Sequence, residues 1–171
     1  MPLQDWAVLD TIRATRRSYR AAGVSLVGVY QHHFEISFGN LGAGATATMQ
    51  TITVPPDADF LWLGNVMTPH GDQAPIGSSH AGHVAIIRIE RLATRQRYAR
   101  HSDIGRAPDG WVAPTCIAGR ARCPFIWPAP ILLKASETVT FEAINRGNAA
   151  LTPFRFGLLG VLFVVGMRRA A

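Results

Sequence analysis

The chain of 171 residues is long enough for one domain with a full core. Hydrophobic residues make up 48% and charged residues 16%, which excludes a disordered charged tail as the dominant state and leaves little polar surface for a solitary monomer. The net charge of +6 is carried almost wholly by arginine, Lys134 being the only lysine, and it permits contact with phosphate or with an acidic protein surface.

Residues 2–22 hold the one helical pattern. Trp6, Val8, Leu9 and Ile12 give way to Arg13, Arg16, Arg17 and Arg20 at spacings of three and four, an amphipathic arm with a basic end. After Gly23 the pattern turns to strands. Short β-rich runs are read at 24–30 and 34–38, the second alternating Phe34, Ile36 and Phe38 with Glu35 and Ser37. A Gly-Asn turn at 39–44 precedes a threonine-rich strand at 46–54, and Pro55-Pro56-Asp57 joins it to an apolar strand at 60–67 as a strand, turn, strand unit.

The interval 68–82 is a long loop. A strand at 83–92 follows, with Ala85, Ile87 and Ile89 opposed to Arg88 and Glu90, and 94–100 continues it or forms a basic hairpin partner. Loop character returns over 102–122, with Trp111 and Val112 as its anchor to the core. A proline-framed lead-in, PFIWPAPILL, introduces a closing pair of strands at 137–144 and 154–165, separated by a polar Asn-Arg-Gly-Asn turn. The apolar run 156–167 is too short for a membrane helix, which needs roughly 20 apolar residues. Its glycines and valines suit a buried strand.

About eight short strands with glycine and proline turns indicate an all-β protein, an antiparallel β-sandwich or jelly-roll-like fold with a short N-terminal helix or arm. Residues 1–22 form the arm and 23–171 the sandwich domain. No signal peptide is read at the N-terminus, where acids and arginines stand in place of an apolar stretch, so cytoplasmic synthesis with reduced cysteines is expected.

Chemistry is sparse. His70, Asp72, His80 and His83 offer donors in one loop, but their spacing fixes no tetrahedral site, and they read as solvated histidines rather than metal ligands. Cys116 and Cys123 are separated by six residues, wider than the usual zinc pairing. Ser78, Ser79, His80 and Asp72 lack the strand-to-helix elbow of a hydrolase. Asp57 and Asp59 read as turn carboxylates. No catalytic, cofactor or metal residue is therefore assigned, and no cofactor is expected.

Arg88, Arg91, Arg95, Arg97 and Arg100, interleaved with Tyr98, could meet nucleic acid, but no such signature surrounds them, and a protein interface is the competing reading. The candidate assembly contacts are Trp6, Arg13, Arg16, Arg17, Arg20, Arg95, Arg97, Tyr98 and Arg100. A second class of function is ligand or glycan binding, with Trp62, Trp111, Trp127 or Tyr98 as stacking surfaces.

The succession ITVPPDADFLWLGNV, a glycine-rich middle, PFIWPAPILL, ETVTFEAINRGN and a closing apolar strand before a basic tail resembles small β-sandwich virion structural proteins of tailed bacteriophages. The likeness spans residues 51–169 and leaves the arm outside it. It implies a capsid decoration, head-spike base or tail-associated component that works by assembly, a homo-oligomer in a symmetric particle with other virion proteins as partners. It carries over no catalytic residue. Localisation in the virion follows, with no membrane contact, and the basic run ATRQRYARHSDIGRAPDGW departs from the pattern.

Overall fold

The computed structural model describes residues 3–44, 48–68, 85–98, 111–112, 118, 124–147, 150–151 and 154–166. Helix α1 (Leu3–Ala21) is followed by strands β1 (Leu26–Ser37), β2 (Thr48–Thr53), β3 (Ala58–Thr68), β4 (Ala85–Arg91), β5 (Gln96–Tyr98), β6 (Trp111–Val112), β7 (Phe125–Leu133), β8 (Thr138–Asn145) and β9 (Arg155–Val165).

The pairings define the architecture. β1 pairs with β9, β2 with β8, β3 with β7 and β4 with β5, all antiparallel. These are the pairings of one long hairpin whose tip is the β4–β5 turn. β3 also pairs with β9, and β4 with β8, so the hairpin is rolled into two facing sheets of order β1-β9-β3-β7 and β2-β8-β4-β5, with β6 added beside β4. An all-β sandwich with this winding is a jelly roll.

The winding revises several local readings. The runs at 24–30 and 34–38 are one continuous strand, β1, bulged between Leu26 and Gly28. β2 and β3 form no hairpin, because the Pro55-Pro56 segment carries the chain from one sheet to the other. The closing strands β8 and β9 likewise lie in opposite sheets. The proline-framed lead-in is itself strand β7, at a sheet edge where missing amide donors are tolerated. Its register with β3 breaks between Trp62 and Gly64, so that Trp127-Pro128-Ala129-Pro130 form an unpaired bulge in which Trp127 packs on the core and Pro128 and Ala129 are exposed.

Two cores hold the layers. Between the sheets, Phe60, Trp62, Ile87, Ile89, Leu133, Phe141, Phe154, Phe156 and Leu158 are fully buried. β4 and β8 bury alternate residues, as a sheet with one wet face requires. β3 instead buries nearly every residue, and β9 buries residues of both faces along Phe156–Val161, because α1 covers part of their outer face. Tyr19, with Val8 and Ile12, packs there on Leu61, Leu63, Val161 and Phe163.

The helix ends where Gly23 adopts φ +70° and the Gly23 and Val24 amides donate to Arg20 and Tyr19 carbonyls, an end that glycine satisfies without a Cβ clash. The run 156–165 is thus a central strand. No described helix is long and apolar enough to cross a membrane.

Candidate functional site

One polar network ties all three layers together. Asp59, at the start of β3, is buried beneath α1. Its carboxylate accepts hydrogen bonds from the Tyr19 hydroxyl, from Lys134 Nζ at 2.9 Å and from the Ala135 amide at 2.8 Å. Two residues further on, buried Glu137 accepts from the Lys134 amide at 2.8 Å and pairs with Arg91 of β4. The 134–137 turn is therefore clamped to the helix and first sheet by one acid and to the second sheet by the other.

Burial raises the Asp59 carboxyl, but the donors from Tyr19, Lys134 and Ala135 and the Lys134 charge outweigh it and hold the group below its ordinary value. Burial, with the bond to the Asp59 charge, pushes the Tyr19 hydroxyl well above the ordinary range. Both shifts favour the neutral phenol donating to the carboxylate. The Asp-Ala-Asp sequence had suggested turn chemistry alone, and the buried partner forty positions upstream gave no local signal.

The outer face of the second sheet is polar. Arg88 donates to both Glu142 oxygens at 2.7 and 2.6 Å and lies 5.0 Å over the Trp111 ring. Thr53 and Thr138 hydroxyls meet at 3.1 Å. Arg88 and Arg91 are thus committed to carboxylates.

The predicted contact residues fall on two separate surfaces. Arg13, Arg16, Arg17 and Arg20 are exposed along α1, Arg13 lying 3.4 Å from Asp10. Arg95 sits in the β4–β5 turn at φ 54° and pairs with Glu90 at 3.1 Å. Arg97 and Tyr98 have their backbones in β5. The Trp6, Arg97 and Tyr98 side chains, Arg100, the His70, Asp72, His80 and His83 loop, Cys116 and Cys123 lie outside the description. Among the described residues no group of three or more His, Cys, Asp or Glu side chains could hold a metal ion. Trp62 is fully buried and Trp111 only 8% exposed, so neither offers a face to a sugar ring.

The composition of the edges had no counterpart in the sequence reading. On one side of the sandwich stand β1 and β2, which among the described residues have no outer strand neighbour. Val27 is 69% exposed, Tyr30 56% and Met49 61%. β1 presents twelve residues with neither proline nor lysine, two of the features that guard an edge, and its own bulge lies at the start of the strand, between Leu26 and Gly28. On the other side β7 is blunted by Pro128, Pro130 and its bulge, and β5 has three residues.

Beside β7 a cavity of about 310 Å³ opens between α1 and the bulge, lined by Ala7, Val8, Thr11, Ile126, Trp127, Pro128 and Pro130. A second one of about 300 Å³ lies on the first sheet and has no helix residue in its lining. His33, Glu35 and Arg155 rim it over Val66, Gly157 and Leu159, with Glu35 and Arg155 3.3 Å apart.

No known family, curated protein or solved structure matches this chain.

Proposed function

We propose that the chain is a non-enzymatic structural subunit of a bacteriophage virion, a capsid decoration, head-spike base or tail accessory component acting through protein contacts. The observation that carries this reading is the asymmetry of the sandwich edges. The β1 edge, long and without proline or lysine, exposes Val27 and Tyr30, and the β2 edge of the other sheet exposes Met49, while the opposite side is blunted. Long strand edges and exposed apolar side chains are liabilities in a monomer and assets in an assembly.

The jelly roll is compatible with the reading but does not choose it, since capsid, lectin and cupin domains share it. The glycan-binding alternative is weakened by the burial of Trp62 and Trp111. Multiplicity on a symmetric particle lets modest contacts suffice, because each further contact forms at high effective concentration.

Co-sedimentation of the purified chain with phage particles, followed by negative-stain imaging, tests the proposal. Stoichiometric binding in a regular array is the expected result. A chain that stays in the supernatant as a monomer, and is never recovered with particles, would rule the proposal out.

A further inference from the structure

We infer that the exposed face of α1 is a seat for the phosphate backbone of duplex DNA, its contacts made by Arg16, Arg17 and Arg20 with Arg13 beside them. The inference goes beyond the assembly reading and does not rest on it, since the chain can bind particles or fail to bind them whatever this face holds. Arg13, Arg16, Arg17 and Arg20 recur at intervals of three and four, so they share one side of the helix, and all four are exposed. Arg13 lies 3.4 Å from Asp10, while among the described residues no carboxylate pairs with the other three.

The fold alone does not account for this row. Like charges three and four residues apart repel one another and weaken a helix. The helix dipole favours a cation only in the last turn, which explains Arg20 and leaves the other three without an internal reason. A partner with repeated negative charge relieves the repulsion. From Arg13 to Arg20 the helix rises about 10 Å, and one strand of duplex DNA presents a phosphate about every 3.4 Å of its axis, so about three phosphates stand along the row. Each guanidinium offers them a planar fork of donors.

The setting favours DNA over other polyanions. A helix lying on an anionic membrane buries an apolar face in the lipid, but here Val8, Ile12 and Tyr19 are packed on the sandwich. Leu9, 39% exposed, is the only large apolar side chain that α1 leaves open among the described residues. An acidic protein would need carboxylates in matching register, whereas a DNA strand supplies the repeat whatever its sequence. The bond from Tyr19 to Asp59 holds the helix in place, so the arginines are presented as a fixed row.

Fluorescence anisotropy of a labelled duplex of arbitrary sequence, titrated with the full chain at several salt concentrations, tests this. Three phosphate contacts should give log K against log salt a slope of about −2.7, so that affinity falls about forty-fold between about 50 and 200 mM salt. Arg16→Gln or Arg17→Gln alone should flatten the slope by about one unit, and the triple variant Arg16→Gln, Arg17→Gln, Arg20→Gln should lose most of it. The control Arg95→Gln, Arg146→Gln, Arg155→Gln removes the same charge from exposed positions outside the helix and should keep the slope. Circular dichroism melts confirm that each variant is folded. Equal losses in the two triple variants would mean attraction by net charge and would overturn the inference. A wild-type chain that leaves the duplex unbound at the lowest salt, or binds polyglutamate or phosphatidylglycerol vesicles in its place, overturns it as well.

Discussion

Replacing Tyr19 by phenylalanine isolates the hydroxyl that joins the helix to the sandwich. The ring keeps its stacking on Phe163, at 5.6 Å between centroids, and its place under Lys134 Nζ. What is lost is one hydrogen bond to a buried carboxylate, a class that contributes about 1.5–3 kcal/mol. Lys134, whose side chain is 58% exposed, compensates little, because an ion pair so open to solvent adds under about 1 kcal/mol.

Urea unfolding should therefore show Tyr19→Phe losing about 2 kcal/mol. Asp59→Asn removes the acceptor charge from the same contact, so the double variant should cost less than the sum of the singles by about 1 kcal/mol. The acid limb gives a second readout. Because the folded Asp59 carboxyl lies below its ordinary 3.8, its contribution is complete above that value and is lost as pH falls through the lower folded value. Asp59→Asn should flatten this limb. A Tyr19→Phe change below about 0.5 kcal/mol, within the range of neutral surface substitutions, together with strict additivity, would refute the proposed clamp.

Gly160→Ala should destabilise by about 1–3 kcal/mol, read as a lowered melting temperature, since the new Cβ would stand 2.3 Å from the Leu61 carbonyl oxygen and 2.5 Å from the Phe60 ring. Arg88→Met should cost about 1–3 kcal/mol and alter the emission of Trp111 by removing the guanidinium from its face. Above about pH 10 stability should decline, because Tyr19 ionises more readily in the unfolded chain than in the folded one; Tyr19→Phe should remove that part of the alkaline slope. Acrylamide should quench Trp62 and Trp111 poorly in the free chain, and strong quenching of both would restore a stacking surface for sugars.

The fold was legible where burial is one-sided or complete. Ala85, Ile87 and Ile89 announce their strand by alternation, and the continuous apolar run of β9 announces a strand covered on both faces. The partners of these strands were not legible, because a jelly roll sends consecutive strands to opposite sheets and local turn chemistry cannot report that. Pro128 and Pro130 concealed β7, since proline argues against a strand unless the strand is known to lie at an edge. Asp59 hides its role for a related reason: a carboxylate two residues after Pro-Pro-Asp looks like a turn residue until a helix from a distant part of the chain covers it. The open β1 edge could not be seen at all, as exposure along a strand depends on which neighbour is missing.

Hydroxyl-radical footprinting of the chain, free and bound to purified particles, addresses the assembly claim most directly, because exposed Tyr30 and Met49 stand on the surface held responsible. The account predicts strong labelling of both in the free monomer and protection of both on the particle. Equal labelling in the two states would contradict it.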